Sequence, residues 1–274
     1  MEDHITVSAL EGTNAKLFRI PNNTDDYIEI TNWGCRMKSI YIHNRLGSLQ
    51  NVLCTSGMET VASWAPVVGA ASCPRLEDFL TRQLWEVGEV GTNHVFFSCT
   101  ASAKETGLPY EVKVGAKITW VNLNRLIVDL YLTPQQEQTL NLTTGLPFRL
   151  SDDRETYIAR TFCSMVETNG EFIPVDKTHY REISFNPVQA GEQRFQSLQE
   201  DIKPMMELAS TTAGLAISAY GTPSIISCRT LKTSGGVSLQ FVGRPELLQA
   251  GETLTERVIY GFDPLFDEVE FGRT

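Results

Sequence analysis

A period of two runs through most of the chain. In EVKVGAKITW, residues 111–120, Val112, Val114, Ala116, Ile118 and Trp120 alternate with Glu111, Lys113, Gly115, Lys117 and Thr119. Successive side chains of an extended backbone point to opposite faces, so this run predicts a strand with one buried and one wet face. The turn VNLN follows, and Leu126, Val128, Leu130 and Leu132 then alternate with Ile127, Asp129, Tyr131 and Thr133, the second arm of a hairpin. Shorter runs of the same kind occur at 15–20, 26–31, 36–42, 94–101, 138–144, 215–220, 224–228 and 236–242. Turn-forming clusters separate them, among them PNNTDD, NRLGS, KETGLP, SDDRE, ETNGE and KTSGG.

Helical patterning between the strands is missing, which excludes βαβ units and predicts an antiparallel sandwich or barrel. The sequence predicts a helix only in SLQEDIKPMMEL, residues 197–208, where Pro204 would interrupt it. No linker, composition shift or internal repeat divides the chain. The expectation is therefore an all-β protein, a large antiparallel β-sandwich formed as a single domain from residues 1–274.

Composition narrows the function. Hydrophobic residues at 42% and charged residues at 20% are ordinary for a globular chain that can build a core. The net charge of −10 is the wrong sign for phosphate backbones and anionic lipid surfaces, which argues against nucleic-acid and membrane partners. No apolar run approaches the roughly 18 residues of a membrane span. MEDHITVSAL lacks the basic and apolar regions of a signal peptide, so a cytoplasmic location is expected. The cysteines at 35, 54, 73, 99, 163 and 228 are then expected to be reduced and mostly buried. The histidines at 4, 43, 94 and 179 cluster with none of them, so no metal site is expected. The Asn-X-Thr triplets at Asn22 and Asn141 are read as chance matches. The chain holds no GxGxxG, P-loop or HExxH pattern, and no cofactor is expected.

Three segments, in order, resemble units of one known family. YIEITNWGCRMKSIYIHNRLGSLQNVL (27–53) resembles the family's N-terminal unit with its "TNYGA"-like turn. LNLTTGLPFRL (140–150) resembles "NLTNHSYFNL", and SLQFVGRPELLQAGETLTERVIYGF (238–262) resembles the closing unit around "L-x-P-G-E". Between them, EDFLTRQLW (77–85) keeps the Phe and Trp of an "HGFxRxxxW"-like segment. Each motif alone is common turn and strand chemistry; their order carries the resemblance, which is to the galactose mutarotase (aldose 1-epimerase) superfamily. It implies the mutarotase-like supersandwich and a cleft that takes a sugar or sugar derivative.

In that family a base takes the proton of the C1 hydroxyl while an acid protonates the ring oxygen. The ring opens, and reclosure delivers the other anomer. Both groups need a pKa near the working pH. Carried over by the resemblance, the key positions are altered here. The acid histidine falls on Gly145, the second histidine on Glu77 and the base glutamate on Gln240, an amide that takes no proton near neutrality. The binding arginine has Arg75 as its nearest counterpart, and only QSLQED (196–201) would stand in for the "YDH" segment. A shift of register by a residue or two would bring Glu246 or Glu252 into consideration instead of Gln240.

Glu77 is the candidate replacement acid or base, alone or with Asp78, against a reading of both as solvated loop acids. Arg75, Trp85, Arg149 and Gln240 are the candidate substrate contacts. Guanidinium forks suit hydroxyls or a phosphate, an aromatic face suits a sugar's apolar side, and an amide both donates and accepts. The alternatives are a surface pair of Arg149 with Asp152 or Asp153 and core packing for Trp85. His94 and His179 titrate in the right range but lie outside the matched segments. Two functional readings remain open: an epimerase-like enzyme with a rearranged acid/base set, and a carbohydrate-binding or regulatory protein without catalysis. A phosphorylated substrate would require Arg75, Arg149 or Arg244 to converge.

Overall fold

The computed structural model of the chain describes residues 4–54, 60–70, 73–152, 156–175, 183–197, 204–231 and 236–265. The hairpin read from the alternation is its centre. Strands Val112–Val121 and Arg125–Pro134 pair antiparallel with Trp120 opposite Leu126, which aligns the two apolar faces. Leu123 and Asn124 turn the corner in the left-handed region, at φ 64° and 53°. Positive φ at these two positions of the three-residue connection gives the turn the twist the strands need.

This hairpin lies within a nine-stranded antiparallel sheet. From one edge to the other its strands are Ile183–Phe185, Tyr157–Thr161, Met206–Ser210, Leu215–Gly221, Leu254–Pro264, Arg125–Pro134, Val112–Val121, His94–Ala101 and Glu86–Val90. Two six-stranded sheets cover it. One holds Thr6–Ala9, Lys16–Pro21, Tyr27–Thr31, Arg36–His43 and Leu49–Asn51, with Ala65–Pro66 beside Arg36–His43. The other runs Thr143–Phe148, Val237–Val242, Ile225–Thr230, Gln193–Gln196, Met165–Thr168 and Glu171–Pro174. Isolated bridges between Leu53 and Phe148, and between Gly69 and Thr143, join these two sheets into one layer. The ribbon of Gln138–Leu140 and Glu246–Leu248 extends the second.

Aromatic contacts pin the layers together. Phe18 meets Phe97 edge-on at 5.4 Å, while Phe148 meets Tyr260 at 5.4 Å and Phe262 at 6.0 Å. One contiguous apolar cluster links all three sheets. The all-β sandwich expected from the sequence is the observed architecture.

Helix placement is where the sequence reading needs correction. In the expected helical segment, residues 198–203 lie outside the described region, and Met206–Ser210 is a strand buried in the large sheet. The longest helix among the described residues is instead Pro74–Arg82. Proline at its first turn costs no hydrogen bond, and Leu76 and Leu80, one turn apart, enter the core. A helix of nine residues shows too few turns for its period to stand out in the sequence.

Candidate functional site

A cavity of about 220 Å³ opens where the two six-stranded sheets meet. Its walls come from 65–69, from strands Thr143–Phe148, Ile225–Thr230 and Val237–Val242, and from Glu77 of the helix. Gly69 makes the junction. Its N–H donates to Thr143 O at 2.8 Å, and Thr143 N–H returns a bond to Gly69 O at 2.9 Å. A β-carbon on Gly69 would overlap the Thr143 hydroxyl and lie 3.5 Å from Glu77 Oε1. Glycine therefore admits the close approach that brings the Glu77 carboxylate over the strands.

Across the floor the register sets the chemistry. Gly145 pairs with Gln240, Gln240 pairs with Ser227, and Ser238 lies between Pro147 and Arg229. A β-carbon at 145 would sit 2.8 Å from Gln240 Cα and 2.9 Å from its Cβ. Position 145 thus carries no side chain because its neighbour occupies the space. The Glu77 carboxylate, the Arg229 guanidinium and the Gln240 amide line the cavity, and none has a side-chain partner among the described residues. The Thr144 hydroxyl, in a residue 2% exposed on the same wall, is also unpartnered. Unspent polar groups around a concave space are what a polar ligand requires.

The sequence candidates separate into three groups. Glu77 and Gln240 meet in this cavity, beside Gly145. Trp85 does not: it is 1% exposed, and its indole N–H donates to Leu80 O at 2.9 Å, so it packs the helix onto the core. Arg75 lies on the outer side of the helix against Gly107, and Arg244 is exposed beyond Val242. Arg149 pairs with Asp152 in a different cavity, and Asp153 lies outside the described residues. The three arginines named for a phosphate therefore do not converge. Asp78 faces away from Glu77 and pairs with Arg82 at 2.7 Å.

The remaining candidates are occupied elsewhere or undescribed. His94 lies at the far side of the large sheet, 3.4 Å from Glu89, and His179 is outside the described residues. Of QSLQED, residues 198–201 are likewise undescribed. Glu252 caps its own turn by accepting the Gln249 N–H at 2.9 Å, and Glu246 is exposed. Both sequon asparagines are buried: Asn22 accepts N–H bonds from Thr24 and Asp26, and Asn141 donates to Gly243 O. Cys35, Cys54, Cys163 and Cys228 are buried. Among the described residues no group of three His, Cys, Asp or Glu side chains could hold a metal ion, and no helix is long and apolar enough to cross a membrane.

Sequence reasoning missed Arg229. It lies on the same face as Gln240 only because two neighbouring strands align Ser227 with Gln240 and Arg229 with Ser238, which requires the strand order. Glu256 was missed as well. It is 6% exposed and packs under Gly243, where any β-carbon would collide with its Oε1. Burial, with the Glu246 carboxylate nearby, pushes its pKa up to about 7. The turn above it joins the strands that bear Gln240 and Gly145, since Gly243 N–H donates to Leu142 O at 2.9 Å.

No family model and no curated protein matches the sequence. Solved structures do match in fold. The GalM/aldose epimerase homologue from C. elegans superposes with a TM-score of 0.76 at 13% identity, covering 92% of this chain and 99% of that one. Galactose 1-epimerase from Lactobacillus acidophilus NCFM gives 0.71 at 12% identity, covering 95% and 98%. A galactose mutarotase-like protein from Lactobacillus casei ATCC 334 gives 0.67 at 12% identity, covering 90% and 100%. The chain has the galactose mutarotase-like fold over nearly its whole length.

Proposed function

We propose that this chain, on the fold shared with aldose 1-epimerases, binds a carbohydrate between Glu77, Arg229 and Gln240 and interconverts its anomers with Glu77 as the proton-transfer group. The observation that carries this reading is the cavity itself: a carboxylate, a guanidinium and an amide meet there without partners. At about 220 Å³ it suits one small ring rather than an oligosaccharide. Gln240 donates to one ring substituent and accepts from another, and Arg229 offers a fork of N–H donors to adjacent oxygens. Glu77 is the one carboxylate among the described lining residues. As base it would take the C1 hydroxyl proton, and return of that proton to the ring oxygen, directly or through water, would open the ring. The same carboxylate reverses the steps after rotation about C1–C2.

One observation favours a binding protein without catalysis: no histidine or second carboxylate lies among those lining residues to share the proton transfer. Anomer exchange followed by NMR or polarimetry, alongside direct binding, separates the readings. The enzyme reading expects saturable sugar binding and exchange above buffer background. The Glu77→Gln variant should lose roughly 100-fold or more in rate, the scale of one general acid–base group. Binding with background exchange leaves the binding protein. No binding of glucose, galactose or their 6-phosphates would remove both readings for those ligands.

A further inference from the structure

A second, larger cavity of about 670 Å³ lies on the other side of the sheet junction, and its chemistry differs from the first. Three segments enclose it: residues 44–54 of the N-terminal sheet, 149–152 after strand Thr143–Phe148, and Thr212 and Ala213 at a hairpin tip of the large sheet. Main-chain bonds fix the first two together, from Arg149 N to Val52 O at 2.8 Å and from Cys54 N to Pro147 O at 2.8 Å. The buried Tyr157 hydroxyl accepts N–H bonds from Leu150 and Ser151 and donates to Ser151 O, holding the segment beside Arg149 in place. The cavity is therefore built on anchored backbone.

Its polar groups are biased towards donors. Asn44 Oδ1 is spent on the Leu46 and Ser48 N–H groups, and Asn51 Oδ1 on those of Ile40 and Leu53, which leaves both amide NH₂ groups unspent. Gln50 Nε2 is buried without any partner. Arg149 gives only Nη2 to Asp152, so Nε and Nη1 remain, and the Asp152 carboxylate is itself open to solvent. Arg45 is outside the lining, its side chain against Gly214, where a β-carbon would meet it at 2.5 to 2.8 Å. A buried donor left unmade costs more than a made bond contributes, so such a set is retained at a net benefit where an acceptor fills it.

We infer that this second cavity binds a small oxyanion, a phosphate or carboxylate group, through Arg149, Gln50 and the amides of Asn44 and Asn51. An oxyanion offers several acceptor lone pairs and a charge for the guanidinium, whereas the Asp152 carboxylate already in the lining engages only Arg149 Nη2. The inference does not depend on what the first cavity does.

The test is a titration of the full chain with inorganic phosphate, and separately with acetate, at ionic strength matched by sodium chloride. Arginine Nε–Hε NMR signals and calorimetry report binding. Saturable binding is expected in at least one arm, and the tighter arm identifies the headgroup. Gln50→Met and Arg149→Met should each weaken it about tenfold or more, in line with a lost charge-assisted bond. Gln50→Met should fold without loss of stability, because it removes an orphaned donor. No saturable binding of either anion overturns the inference. So does binding that both variants retain, or binding lost in Arg229→Met alone, which would place the anion in the first cavity.

Discussion

Glu256 is a carboxyl whose ionisation the fold resists within the ordinary working range of pH. Its carboxyl sits at about 7 in the folded chain against an ordinary 4.5, because it is buried and faces Glu246. The folded state therefore keeps a proton that the unfolded chain loses between those values, and stability should fall as pH rises from 4.5 to 7 and level off above. At 1.36 kcal/mol per unit the full effect is about 3 kcal/mol. Glu256→Gln keeps the shape and removes the titration, so its urea midpoint should change far less between pH 5 and pH 8 than that of the parent. Equal pH dependence in both proteins would show that Glu256 is not the group responsible. Alternation puts Glu256 in phase with the buried Leu254, Val258 and Tyr260, but it does not show that the Gly243 turn packs over its carboxyl. Glu77 was legible for a different reason: its spacing to Phe79 and Trp85 survives in the sequence.

Among the elements, strands were readable and their lateral neighbours were not. Alternation placed the faces of 112–121 and 125–134 because each strand has one apolar side. Order within a sheet depends on contacts far apart in sequence, which is why Arg229 escaped notice while Gln240 did not. The pairing of Gly145 with Gln240 gives a sharp expectation. Gly145→Ala forces a β-carbon to within 2.9 Å of Gln240 unless the strands part, so it should cost about 1–3 kcal/mol, read from chemical denaturation. A histidine at 145 should be worse and should not raise anomer exchange. The helix Pro74–Arg82 makes a complementary case. Leu80 is fully buried and its carbonyl receives the Trp85 indole N–H, so Leu80→Ala should lose about 2–5 kcal/mol. Because Glu77 rides on that helix, whatever the first cavity binds should weaken with it. Unchanged binding would mean that Glu77 takes no part.

At the scale of the whole molecule, both cavities lie along one seam, where two six-stranded sheets share an edge above a nine-stranded one. Phe148 is the residue at that seam: it bridges to Leu53, packs on Tyr260 and Phe262, and stands between Pro147 of the first cavity and Arg149 of the second. The apolar cluster continues through all three sheets without a break. A core of that continuity should melt as one unit, in which case tryptophan fluorescence and far-UV circular dichroism report a single coincident transition. Phe148→Ala should lower the midpoint by the equivalent of about 3–5 kcal/mol while leaving the denaturant slope unchanged. A second transition, or a reduced slope, would show that the N-terminal sheet unfolds apart from the rest and that the seam joins two separable units. In the one-unit case, a ligand in either cavity stabilises the same folded state and raises the same midpoint. Shifts from ligands in the two cavities should then add, so long as neither alters the strand Thr143–Phe148 that runs between them.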